Sequence, residues 1–139
     1  MQFILYTEPR TKKNSMQPIP YKGRTIMIPS KAYKKFLNEC KPQIESILSL
    51  NSKGCSFPLT GYYNVQAVYY MKARRVVDIS NLHNALHDVL TACNVLEDDD
   101  CLHIGSTDGS FVQYDKDNPR IEVLLTDCTY PKAWEGKQR

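Results

Sequence analysis

Long apolar runs, paired cysteines and glycine-rich loops are missing from this chain, and each absence excludes something. No apolar run approaches membrane-spanning length, and the N-terminus has neither the charged nor the apolar region of a secretory leader. The sequence therefore predicts a cytoplasmic protein without a membrane partner. Its five cysteines (Cys40, Cys55, Cys93, Cys101 and Cys128) are odd in number, widely spaced and without a C-x-x-C pair. That pattern argues against a disulfide scaffold or a zinc ribbon and fits reduced thiols. No glycine-rich phosphate loop and no Gly-x-Ser-x-Gly elbow occurs, which removes the common P-loop and α/β-hydrolase chemistries. Internal repeats and low-complexity stretches are absent too. Even a strong charge is lacking: a net +3 names no partner by itself.

What is present reads as one domain over residues 1–139, with the 42% hydrophobic and 24% charged content of an ordinary globular protein. The charges are unevenly placed. Arg10, Lys12, Lys13, Lys22, Arg24, Lys31, Lys34 and Lys35 crowd the first third, while acids concentrate between Asp78 and Asp117. A basic lobe beside an acidic pocket suits a metal-dependent nuclease; a solvated charged face is the plainer explanation.

The apolar periodicities predict strands at both ends and in the middle of the chain and two main helices. Residues 2–7 read as a strand stopped by Pro9, and 8–29 as a polar connection with a short ribbon turning at Tyr21-Lys22-Gly23. Ser30 is placed to cap a helix reaching residue 50, which Pro42 should kink or split. Residues 61–72 form the strongest strand, with Tyr63, Val65, Ala67, Tyr69 and Met71 on one face. A second helix over 79–94 carries the stripe Ile79, Leu82, Leu86, Val89, Leu90 and Cys93. Residues 101–106 and 110–114 are expected to pair across a Thr107-Asp108-Gly109 turn, 120–126 to form a last strand, and 128–139 to be a loosely held tail.

Chemistry concentrates around the second helix. Asp78 stands at its start behind Arg74 and Arg75, and Glu97-Asp98-Asp99-Asp100 follows its end. Asp is a good N-cap, and that alone would explain Asp78. Carboxylates gathered beside cations would instead hold magnesium where phosphate can reach it, since that ion prefers oxygen ligands and keeps several waters. Both acidic ends meet only if the helix runs back across the sheet and delivers residues 98–100 near Asp78. His83 and His87 lie one turn apart but lack the glutamate of a zinc protease, so zinc is a minor alternative. The tyrosines at 62, 63, 69 and 70 could stack on bases, although strand alternation favours core and dimer packing.

The stretch Asp78-Ile79-Ser80-Asn81-Leu82-His83-Asn84-Ala85-Leu86-His87-Asp88-Val89-Leu90, followed by Glu97-Asp98-Asp99-Asp100, resembles the RusA family of Holliday junction resolvases, common in phages and prophages. The family pattern is Asp-x-Asp-Asn-Leu-x-Lys, a helix and an Asp-Asp pair. The opening strand, the Lys12-Lys13-Asn14-Ser15 loop and the Arg120-Ile121-Glu122-Val123 strand look similar as well. The resemblance implies a small α+β fold, a mixed sheet of about four to five strands with two main helices packed on it, and a homodimer that binds four-way DNA junctions and nicks them with magnesium, manganese substituting. It implies Asp78 and Asp99 as metal ligands with Asp98 beside them, the metal activating water at the scissile phosphate. Lys12, Lys13, Lys72, Arg74 and Arg75 would contact phosphates.

Two positions depart from the pattern. Ser80 stands where the second aspartate is expected and Asn84 where the lysine is, one helical turn apart. A hydroxyl is a weak magnesium ligand, and an asparagine brings no cation to the phosphate. The sequence accordingly predicts weak cleavage, or junction binding with little cleavage; a small α+β protein without enzymatic activity is the remote alternative.

Overall fold

The computed structural model describes residues 1–11 and 16–137. In chain order the elements are β1 (Gln2–Leu5), β2 (Met16–Tyr21), β3 (Arg24–Pro29), α1 (Lys31–Asn51), β4 (Tyr63–Met71), α2 (Ile79–Ala92), β5 (Ile104–Ser106), β6 (Phe111–Tyr114) and β7 (Arg120–Asp127), then a short 3-10 turn at Lys132–Trp134. The fold is α+β, with two helices, a mixed five-stranded sheet and a separate two-stranded ribbon. No helix among the described residues is long and apolar enough to cross a membrane.

Alternation along β4 does what its pattern predicts. Val65, Ala67, Tyr69 and Met71 are buried toward the helices, joined by Phe3 and Leu5 of β1 and by Ile121, Val123 and Leu125 of β7. Strand order is β1-β7-β4, all antiparallel neighbours, with β5 and β6 both parallel to β4 along its other edge. Both helices cover one face. Helix α2 buries Leu82, Leu86, Val89 and Leu90 completely, each worth about 1.5–3 kcal/mol relative to exposure.

Ser30 caps α1 as expected, its hydroxyl accepting from the Tyr33 N–H at 3.3 Å. Three expectations are corrected. Helix α1 is not split at Pro42 but continues through it: burial of Phe36, Cys40 and Ile44 on both sides of the proline outweighs one lost backbone hydrogen bond. Residues 101–106 and 110–114 do not pair with each other. Each instead continues the edge of β4, because the Asn64 side chain holds the intervening turn (Asp108 N–H to Oδ1, 2.8 Å; Nδ2 to the Asp108 carbonyl, 3.1 Å). Finally, the tail is docked as far as Trp134: Tyr130 stacks on Tyr62 with centroids 4.5 Å apart, donates to the Leu102 carbonyl at 2.8 Å, and is followed by Trp134 edge-on to the same ring.

Candidate active site and nucleic-acid interface

Asp78 occupies the N-cap position of α2, yet its side chain caps nothing. The carboxylate accepts instead from the Asn81 amide at 3.2 Å, and the Asp78 carbonyl takes the backbone N–H groups of Asn81 and Leu82. An exposed carboxylate released from capping is available to other chemistry. Asp78 and Asn81 line a cleft of about 330 Å³ together with Thr11, Arg75, Val76 and Val77. Ser80 and Asn84 are exposed on the first turns of the same helix, as is Asp78.

The second acidic group lies elsewhere. Tyr69, near the end of β4, meets His83 early in α2 (Oη to Nδ1, 2.7 Å), while Leu59, just before β4, donates to the Val95 carbonyl beyond the end of α2 at 2.8 Å. Helix and strand are therefore antiparallel, and the 14-residue helix holds its two ends about 21 Å apart. The turn at residues 97–100 leads straight into β5, which pairs with the start of β4 (Tyr63↔Ile104), at the far end of the sheet from Asp78. The helix does run back across the sheet, but this carries Asp98 and Asp99 away from Asp78 within one chain. Among the described residues, no group of three or more His, Cys, Asp or Glu side chains is gathered to hold a metal ion. One chain by itself does not fit a magnesium or manganese ion shared by Asp78, Asp98 and Asp99.

That far turn is held tightly. His103, only 4% exposed, sits between two carboxylates, Nδ1 to Asp100 at 2.7 Å and Nε2 to Glu97 at 3.3 Å. Burial alone would depress its pKa, but the hydrogen bonds to Asp100 and Glu97 more than reverse this and raise it. Asp100 also accepts from the Leu102 N–H, and Asp98 from the Asp99 N–H at 2.7 Å. His103 was not among the residues the sequence pointed to; a histidine three residues after an acid run carries no signal until burial is known.

The cations gather at the Asp78 end. Lys72, Arg74 and Arg75 are exposed in the segment joining β4 to α2. The Arg74 guanidinium lies over the Tyr114 ring at 4.7 Å, a contact no motif announced. Lys72 faces a different cavity, about 180 Å³, lined also by Thr7, Glu8, Arg10, Lys35 and Glu39. Lys12 and Lys13 lie outside the described residues. Because β1 and β4 run the same way on either side of β7, Arg10 and Lys72 emerge at one end of the sheet. The molecule is thus unevenly charged: the Asp78 end holds more cations than acids, with Glu8, Glu39 and Asp115 paired to Arg10, Lys35 and Arg120 there, while Glu97, Asp98, Asp99 and Asp100 stand at the other.

His83 and His87 stack with centroids 5.6 Å apart beneath Tyr69, and no cysteine or carboxylate joins them in a metal-binding group among the described residues. Burial lowers the pKa of His83, and burial followed by its histidine neighbour lowers that of His87 to about 4. They are half-buried packing groups whose surroundings favour the neutral form. No protein-family model matches the chain, and no curated protein matches it in sequence.

Proposed function

We propose that this protein is a structure-selective endodeoxyribonuclease of the RusA type, acting as a homodimer on four-way DNA junctions. The observation that carries this reading is the Asp78 carboxylate, freed from capping and set with Asn81 and Arg75 in a cleft at the cationic end. A phosphate chain is attracted to that end by Lys72, Arg74 and Arg75, which position DNA without reading its sequence.

Because one chain separates its acids by the length of α2, joint use of Asp78 with Asp98 and Asp99 requires two copies. The polarity supports such pairing, since the acidic turn of one copy is complementary in charge to the cationic end of the other. Magnesium, or manganese in its place, is the hard cation that carboxylate oxygens from the two ends would take.

Mixing two inactive variants tests this. Asp78→Asn and Asp99→Asn should each abolish nicking of a four-way junction while leaving binding intact. If sites are shared in a two-fold dimer, each heterodimer has one intact site, and an equimolar mixture regains about a quarter of wild-type nicking. No recovery, with heterodimers shown to form, overturns the shared site. The exposed Ser80 and Asn84, which give neither a carboxylate nor a cation, favour a second reading in which the protein binds junctions and cuts little. Junction binding without nicking by the wild-type chain in either metal would establish it.

A further inference from the structure

We infer that the β2–β3 ribbon is a DNA-contacting arm whose tip, Lys22 and Arg24, engages backbone phosphates; this rests on the reading that the chain binds DNA. Between Glu8 and Glu39 the sequence holds no acid at all, but eight cations: Arg10, Lys12, Lys13, Lys22, Arg24, Lys31, Lys34 and Lys35. The ribbon is the middle of that stretch. It leaves the sheet after β1 and returns at α1, at the cationic end that also bears Arg74 and Arg75.

Its geometry suits an arm. Strands β2 and β3 pair with each other and with no strand of the main sheet, and none of their residues is buried. The strands turn at Lys22 (φ 48°) and Gly23 (φ 75°), with Tyr21 paired to Arg24. Two successive left-handed residues make the tight turn whose twist matches a hairpin, so Lys22 stands at the tip. Six-residue strands reach about 20 Å, and the major groove of duplex DNA, about 12 Å wide, admits such a ribbon. Met16, Tyr21 and Met27 are exposed, an apolar lining beside the cations. Pro18 and Pro20 deprive β2 of two backbone donors, which disfavours adding another protein strand to that edge. Charge complementarity therefore assigns the ribbon to a polyanion.

The test is the double variant Lys22→Asn with Arg24→Gln. Asn-Gly is the preferred pair for this turn, so charge is removed without weakening the hairpin. Binding of the full chain to a four-way junction and to its constituent duplex is measured by anisotropy across salt concentrations. The variant should bind both DNAs more weakly, and its log–log salt slope should be shallower by about 1.8 for each ribbon engaged. The conservative pair Lys22→Arg with Arg24→Lys should keep the wild-type slope. An unchanged slope in the charge-removal variant overturns the arm while leaving the resolvase reading standing. Loss of dimerisation in that variant, by sedimentation, also overturns it, in favour of self-association. A shallower slope with no junction preference in either protein supports the arm and overturns the resolvase reading. A wild-type chain that binds neither DNA overturns both.

Discussion

His87 is the side chain whose chemistry bears most directly on stability. Its Nε2 is buried without a hydrogen-bond partner, and its pKa falls from 6.5 to about 4. The unfolded chain therefore binds more protons than the fold between those values, and stability is lost as pH drops through that window, by up to about 3 kcal/mol at its lower end. His83 adds in the same direction. His103 acts in the opposite sense: its pKa is raised, so its contribution is full below the ordinary histidine value and is lost as pH rises through the folded value. Urea midpoints at pH 7 and pH 5 should fall sharply for the wild type and much less for His87→Leu. Equal falls in both proteins would assign the acid sensitivity elsewhere.

At the level of elements, α2 sets where the candidate site residues stand. Its apolar stripe anchors it to β4, which leaves Asp78, Ser80 and Asn84 on its open first turns. Installing the pair of the RusA pattern with Ser80→Asp and Asn84→Lys adds an opposite-charge i, i+4 contact worth about 0.2–0.5 kcal/mol, so the fold should hardly notice. Junction nicking in magnesium should rise about a hundredfold or more, the scale of one transition-state charge contact. Unchanged nicking with normal binding would mean these two positions do not limit activity. His103 matters at the same scale, since its two carboxylate contacts keep the turn at residues 97–100 in one shape.

Across the whole molecule the distribution of charge bears on the proposed partner. A +3 average conceals a cationic end, an acidic end, and a 30-residue segment (9–38) without a single acid. Attraction of phosphate alone gives equal binding to duplex and branched DNA, and it weakens steeply with salt. A dimer presenting two cationic ends should instead keep a preference for the four-way junction that persists as salt rises. Competition of labelled junction with unlabelled duplex at low and physiological salt measures this. Equal competition by duplex at both would remove the junction from the proposal.

Much of the local structure was legible in the sequence because its causes are local. Ser30 announced the start of α1, alternation picked out β4, a 3.6-residue stripe picked out α2, and Lys22-Gly23 marked a turn. Asp78 and the acid run after α2 stood out as candidates, since residue type and the resemblance to RusA resolvases both pointed to them. Sequence spacing was silent on whether they meet. That depended on α2 lying antiparallel to β4, which its contacts with Tyr69 and Leu59 settle. Likewise, the partner of β5 and β6 depended on Asn64 over forty residues away, the continuity of α1 through Pro42 on burial, and the tail's docking on an aromatic stack with Tyr62. The residues by themselves determined which segments become helix or strand and where the charged groups lie along the chain. Tertiary structure alone decided which of those groups share an end, because long-range packing, unlike capping and periodicity, leaves no mark within a short window of sequence.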